Sequence, residues 1–438
     1  MSHSVKRHRS LSSIAVMLLA ILLVVSGGPV QANRPAGCPV ASQFTAWNAL
    51  PNQGLSGDVH VLAVFGDDLY VGGDFTQTDD GALTNLGNMA RYDTAGETWS
   101  ALPNRGLSGQ VSALAVVGSD LYVGGHFSQT GDGTLTNLGN IARYDTATET
   151  WSTLSSQGLD NTVLDLAVSG NDLYVGGYFR DTGDETLTDL GCIARYDTAT
   201  ATWNTLPNQG LGGGAWPMPS AGVLLVVNGD LYVGGNFSRT GDGTLTNLSR
   251  IARYDTVGRT WNGLPDRGLN DDVDALAVVG SDLYVGGSFT RTRDGALTSL
   301  GRIARYDTSA ETWHTLSSQG LDEPVYALKV CGDDLYVGGR LTRTGDRSLT
   351  DLGRIARYDT ASESWNALPN QGFDDWVRAL AVCSDDLYVG GDFTQTGDAL
   401  LSNLGCIARG GTSHATPTPT SSPSPVRLFL PLVLKAHS

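Results

Sequence analysis

Lysine is nearly missing from this sequence: Lys6, Lys329 and Lys435 are the only three in 438 residues. Arginine does not compensate, because 28 basic residues face 45 acidic ones and the formal charge is -17. Three of the basic residues, Lys6, Arg7 and Arg9, lie in a removable leader, so the mature chain has 25 (28 − 3) against 45, near -20. A surface of that sign repels phosphate backbones and anionic lipid, which argues against nucleic-acid and membrane-surface partners. Cysteine is scarce too, five in all and an odd number. No stretch of the repeated region is long enough and periodic enough for a helix. What is abundant is glycine, 56 residues, and apolar side chains, 40% of the chain, enough for a large core and too many for general disorder.

The first 32 residues read as an export signal. Basic residues precede an apolar stretch at 18–25, and Val30-Gln31-Ala32 supplies small residues for cleavage. The apolar run is too short for a bilayer core and is followed by Ser26-Gly27-Gly28-Pro29, against a transmembrane anchor. A lipoprotein would need a leucine-rich box before Cys38, where Pro35-Ala36-Gly37 stands instead. Residues 33–43 form a short lead into the repeated region.

From Trp47 to Arg409 the chain repeats itself. Leu-Tyr-Val-Gly-Gly begins at Leu69, Leu121, Leu173, Leu231, Leu283, Leu335 and Leu387, 52 residues apart except for one step of 58. Trp47, Trp99, Trp151, Trp203, Trp261, Trp313 and Trp365 recur in step, and Ala-Arg-Tyr-Asp-Thr occurs six times between Ala90 and Thr360. Each unit predicts four short strands: in the second, Val111 to Val117, then residues 121–125 after a Gly-Ser-Asp turn, then Ile141 to Asp145, then residues 150–154. The nearly continuous apolar first strand implies burial on both faces. Seven four-stranded units without helices predict an all-β, seven-bladed β-propeller. The first Trp strand has no strands before it, and the last unit stops at residues 407–411 without a Trp strand. Residues 44–50 therefore serve as the outer strand of the seventh blade and close the ring.

These residues resemble the kelch repeat and the related propeller of galactose oxidase. The Gly pair after an apolar strand, the Tyr-Asp ending the next and a Trp six residues on appear as Val123-Gly124-Gly125, Tyr144-Asp145 and Trp151. Tyr-Val-Gly-Gly-x-Phe with a later Ala-Arg-Tyr-Asp is also similar to repeats of fungal cortical polarity markers and of bacterial surface proteins. The resemblance covers residues 44–411 and implies the propeller, while kelch-like propellers include enzymes, actin binders and adaptors. Copper oxidase activity in galactose oxidase requires two Tyr, two His and a Cys-Tyr crosslink. No cysteine here sits in a matching motif, so that activity does not carry over.

A position identical in seven blades meets the same surroundings seven times, which assigns the Gly pair, Tyr, Trp, Arg91 with Asp93 and their equivalents to the scaffold. Two positions vary instead. After the Gly pair stand Asp74, His126, Tyr178, Asn236, Ser288, Arg340 and Asp392; near the start of the inner strand stand His60, Ser112, Leu164, Gly222, Asp274, Tyr326 and Arg378. The two strands are antiparallel, so both sets meet at one face of the ring. Trp216 in the six-residue insertion and Trp376 in the loop entering blade seven join them. The candidate ligand-binding ring is His60, Asp74, His126, Tyr178, Trp216, Asn236, Asp274, Tyr326, Arg340, Trp376, Arg378 and Asp392.

Chemistry is less sharply written. His60, Asp74 and His126 could supply part of a metal site through imidazole and carboxylate ligands; the metal is left unknown, no cofactor is implied and no catalytic residue is assigned. The loop Thr130-Gly131-Asp132-Gly133 and its echoes lack the ligand pattern of a calcium loop and read as Asp-Gly turns. Cys331 and Cys383, like Cys192 and Cys406, occupy equivalent positions of two blades and are expected to be free buried thiols. Residues 412–425 form a Thr/Ser/Pro-rich linker, and the apolar tail at 426–438 is too short to span a bilayer, which leaves the mature chain without a transmembrane span. The expectation is an exported, surface-associated monomer that binds an extracellular protein or glycan through one face. Its alternatives are a carbohydrate-active hydrolase or lyase using acids and histidines of that face, and a structural envelope protein.

Overall fold

The computed structural model describes residues 45–213, 218–383 and 385–411; the export signal, the lead, Trp216, the linker and the tail lie outside them. In the second repeat the strands are Val111–Val117, Asp120–Gly125, Ile141–Asp145 and Thr150–Thr153, hydrogen-bonded in that order as one antiparallel sheet. These are the inner, second, third and outer strands of a blade. The described residues form seven such sheets, and in blade four the short bridge to Thr that recurs in the other six blades lengthens to a ribbon of Leu211–Gly212 with Arg239–Thr240. No helix among them is long and apolar enough to cross a membrane.

Local chemistry sets the turns. Gly118, at φ +63°, opens the two-residue hairpin between inner and second strands; blade four uses Asn228-Gly229, both left-handed, for the same purpose. Between third and outer strands the Asp145 carboxylate accepts the backbone N–H groups of Ala147 and Thr148 at 2.9 and 3.0 Å, an Asx turn repeated around the ring. The loop with Asp132 is likewise a turn. Its carboxylate accepts from Thr130, from both the amide and the hydroxyl of Thr134, and from Asn104, and these donors hold it below the usual carboxylate range.

Packing lies between blades. Among the described residues seven apolar clusters occur, each built from two adjacent blades, including one from blades seven and one. Within them the third-strand Tyr packs on the outer-strand Trp, as Tyr92 does on Trp99 at 4.9 Å. Each of these Trp indoles donates to a carbonyl in the linker of the blade before it, as Trp99 does to Pro51 at 3.0 Å and Trp151 to Pro103 at 3.1 Å. The Gly pair is demanded by crowding. A Cβ on Gly72 would lie 2.4 Å from Val111 of the next blade, and one on Gly73 would lie 2.0 Å from the Asp58 carbonyl.

Closure agrees with the sequence expectation. Ala46–Ala49 pairs antiparallel with Ile407–Gly411, and the Trp47 indole donates to the Pro369 carbonyl at 3.1 Å. Two readings need correction. The strand buried on both faces is the second one, whereas the inner strands keep alternate residues half-exposed. The scaffold Arg and Asp act locally: Arg91 pairs with Asp68 across the sheet at 2.9 Å and Asp93 serves its turn, while in blade two Arg143 pairs with Asp120 at 2.7 Å and lies 3.9 Å from Asp145. The register explains this, because Tyr70 lies opposite Arg91 and Asp68 is its diagonal neighbour.

The second correction concerns cysteine. Cys192, Cys383 and Cys406 are free and buried, but Cys331 is disulfide-bonded. Burial pushes the Cys192 and Cys406 thiols up to about 12.

Candidate functional site

Each inner strand carries a β-bulge near its start. In blade one the register jumps from Val59↔Gly73 to Val61↔Gly72, which leaves His60 unpaired, and the same jump isolates Ser112, Leu164, Gly222, Asp274, Tyr326 and Arg378. The variable inner-strand residue is therefore the bulged one in every blade. A bulge bends the strand and re-aims a side chain, which accounts for seven different residues being tolerated on one scaffold.

The structure gathers the predicted residues into two groups on opposite sides of the ring. The first belongs to blades six, seven and one. Arg378 makes a two-pronged ion pair with Asp392, its Nη2 at 2.6 Å from Oδ2, and its guanidinium lies 4.8 Å from the centre of the Trp376 ring. Arg340 lies over the same ring at 4.7 Å, and the Tyr326 ring is 6.0 Å away. Arg340 is exposed and has no carboxylate within ion-pair distance among the described residues. His60 and Asp74 border this group through Asp58, whose carboxyl is raised by burial and then by Asp392 and Asp74, against the pull of His60 and Arg378. His60 accepts a hydrogen bond from the Gln110 amide of blade two at 2.8 Å, and burial, then Arg378, lowers its basicity.

The second group belongs to blades three to five. Tyr178, Asn236 and Asp274 line a cavity of about 370 Å³ together with Leu164, Gly222 and Asp272. Asp272 pairs with Arg250 at 2.7 Å, and Arg250 also donates to the Asn236 carbonyl oxygen. Burial, then Asp272 and Asp271, pushes the Asp274 carboxyl up to about 7. His126 joins neither group; its Nδ1 hydrogen-bonds the Thr162 hydroxyl at 3.1 Å. The suggested set of His60, Asp74 and His126 is thus divided, and among the described residues no three His, Cys, Asp or Glu side chains gather as a metal-ligand group.

Sequence comparison between blades missed Asp58, Gln110, Thr162 and Asp272. They occupy one equivalent position, just before the bulged strand, where Ser220, Pro324 and Trp376 stand in the other blades. It varies as freely as the two positions chosen, so the signal was present. Asp165 was also missed. It replaces the Val or Ala of other blades and accepts the N–H groups of Leu166 and Leu224 at 2.8 and 2.7 Å, while burial pushes its carboxyl up to about 7.

The family described as the Rax2 C-terminal beta propeller domain matches residues 40–172. "Polarized growth protein L1" of Phoma sp. is 23% identical over 456 aligned residues, covering 82% of this chain and 33% of that protein. "Kelch-like protein terF" of Aspergillus terreus is 26% identical over 285, covering 61% of this chain and 58% of that protein. The chain thus spans between a third and just over half of the length of these curated relatives. Among solved structures the computationally designed Ika8 protein aligns with a TM-score of 0.48 at 14% identity, covering 83% of this chain and 98% of that one. Repeat, seven-bladed architecture and relatives agree in one likeness: the chain is a seven-bladed β-propeller similar to the kelch-repeat propellers.

Proposed function

We propose that this chain is an exported binding module that holds a partner protein across the bulged face of the ring, with Trp376, Arg340, Arg378 and Tyr326 as the anchor. The single observation behind this reading is that cluster. Trp, Tyr and Arg are the residue types that dominate protein interfaces, and here two blades hold them in mutual contact on a rigid sheet. Arg340 offers an unspent guanidinium for an acidic group of the partner. Two guanidinium groups already lie over the Trp376 ring, which favours a protein partner over a sugar stacked on the indole. The kelch-like and polarized-growth relatives agree with an interaction role. Export rests on the N-terminal signal, and the disulfide at Cys331 suits an oxidising compartment.

The test is a screen of the mature chain against extracellular proteins and a glycan array. A protein ligand should lose about 30-fold in affinity on Arg340→Ala or Trp376→Ala, the scale of an interface anchor. Glu149→Ala and Glu311→Ala, which remove exposed pairs with Arg91 and Arg253 at 3.7 and 3.8 Å, should leave it unchanged. Loss of binding in the glutamate variants alone would place the site elsewhere. A response confined to glycans would replace the protein reading.

A further inference from the structure

The cavity in blades three to five has a structural origin. Six of the seven bulged positions carry a side chain, and blade four has Gly222. That glycine is not required by the backbone: its φ lies outside the left-handed region, and a Cβ there would meet nothing closer than 3.8 Å, the Gly235 Cα. A missing side chain, with room for one, leaves the space of about 370 Å³, within the range of small-ligand pockets.

The polar groups around it are unbalanced. Arg250, the nearby cation, is taken by Asp272 and Asn236. The Asn236 amide in turn donates to the Met218 carbonyl at 3.1 Å. The capacity left over is acceptor capacity, the second oxygen of Asp272 and the carboxyl of Asp274, beside the Tyr178 ring and apolar Leu164. We propose that this cavity receives the ammonium or guanidinium end of a basic side chain from the partner protein, with Asp274 and Asp272 accepting its N–H groups and Tyr178 and Leu164 flanking its stem. The large negative charge of the chain concentrates cations at such a mouth. The side chain's source rests on the reading of this face as a protein-binding surface, but its chemistry can be tested without any partner.

The probes are Nα-acetyl-lysinamide and Nα-acetyl-argininamide, titrated calorimetrically into the mature chain, with Nα-acetyl-norleucinamide as the uncharged comparison and spermidine as a free cation. One capped basic residue should bind and the norleucine probe should not. Gly222→Leu, which fills the cavity, and Asp274→Asn should each weaken binding at least tenfold, whereas Glu363→Gln in an outer turn should not. Affinity should rise between pH 6 and 8. Asp274 is held protonated by burial and by Asp272 and Asp271, and it must ionise to pair with the cation. If Gly222→Leu proves unstable by its melting curve, Asp274→Asn carries the test. Equal losses in Glu363→Gln and Asp274→Asn, insensitivity to both pocket variants, or binding of spermidine alone would overturn the proposal. None of these results depends on Arg340 or Trp376, so this inference and the proposed function can fail separately.

Discussion

Replacing Trp47 by Ala tests whether the ring is closed by the N-terminal strand. Trp47 is 4% exposed, donates its indole N–H to the Pro369 carbonyl at 3.1 Å and packs on Phe373 at 4.5 Å, so one side chain joins the strand from the start of the chain to blades six and seven. Truncating a buried Trp to Ala costs about 3–5 kcal/mol. For roughly 370 residues in the strands and turns of the ring, an unfolding entropy of about 2.1 cal/mol/K per residue gives about 0.8 kcal/mol/K, so about 4 kcal/mol lowers Tm by roughly 5 °C. Trp203 is the internal standard. It makes the equivalent bond, to the Ser155 carbonyl at 3.0 Å, but is more exposed, so Trp203→Ala should cost less. Thermal and urea unfolding followed by circular dichroism measure both. If Trp47→Ala melts like the parent while Trp203→Ala does not, the strand at 46–49 does not hold the ring, and closure has another basis.

Two further outcomes concern buried groups. Asp165 keeps its proton up to about pH 7 in the fold and loses it near 3.9 when unfolded, so its favourable contribution is full below pH 4 and is lost as pH rises to 7. Asp165→Ala, which restores the residue type of blades two, five, six and seven, should flatten the dependence of Tm on pH in that window and raise Tm at pH 7; an unchanged slope would refute the assignment. In denatured but unreduced protein, iodoacetamide and peptide mapping should find Cys192, Cys383 and Cys406 alkylated and Cys331 protected, whereas in native protein none of the four should react; alkylation of Cys331 before reduction would contradict the disulfide.

Much of the fold was legible because repetition did the work of comparison. Seven copies of Leu-Tyr-Val-Gly-Gly located the second strands, and the mismatched ends at Trp47 and residues 407–411 showed how the ring closes. What failed was pairing across strands and blades. Arg91 was legible as scaffold but its partner was not, because sheet register rather than chain distance sets Asp68 beside it. His60 and Gln110 are 50 residues apart and meet only because the blades are neighbours. The candidate ring was visible as variation, yet the bulge that aims each side chain leaves no mark in the sequence, and neither does the cavity at Gly222, which depends on what is absent. Cys331 was misread because its position matched Cys383, and equivalent sites in two blades need not share a redox state.

The nearly identical blade interfaces also bear on how the ring assembles. Every outer strand here presents the same Trp and six of the seven third strands the same Tyr, with Gly410 in the seventh, so a folding chain has many ways to dock the wrong neighbours at little cost, a known hazard of repeat proteins. The contacts that differ from seam to seam are those at the bulged mouth: His60 with Gln110, His126 with Thr162, Arg250 with Asp272. Each is made by a residue of one blade and its partner on the next, and each suits only its own seam. The diversity at the bulged mouth thus labels the blades, and a variant made uniform at these positions should fold more slowly and yield more misassembled chains, whatever its final stability.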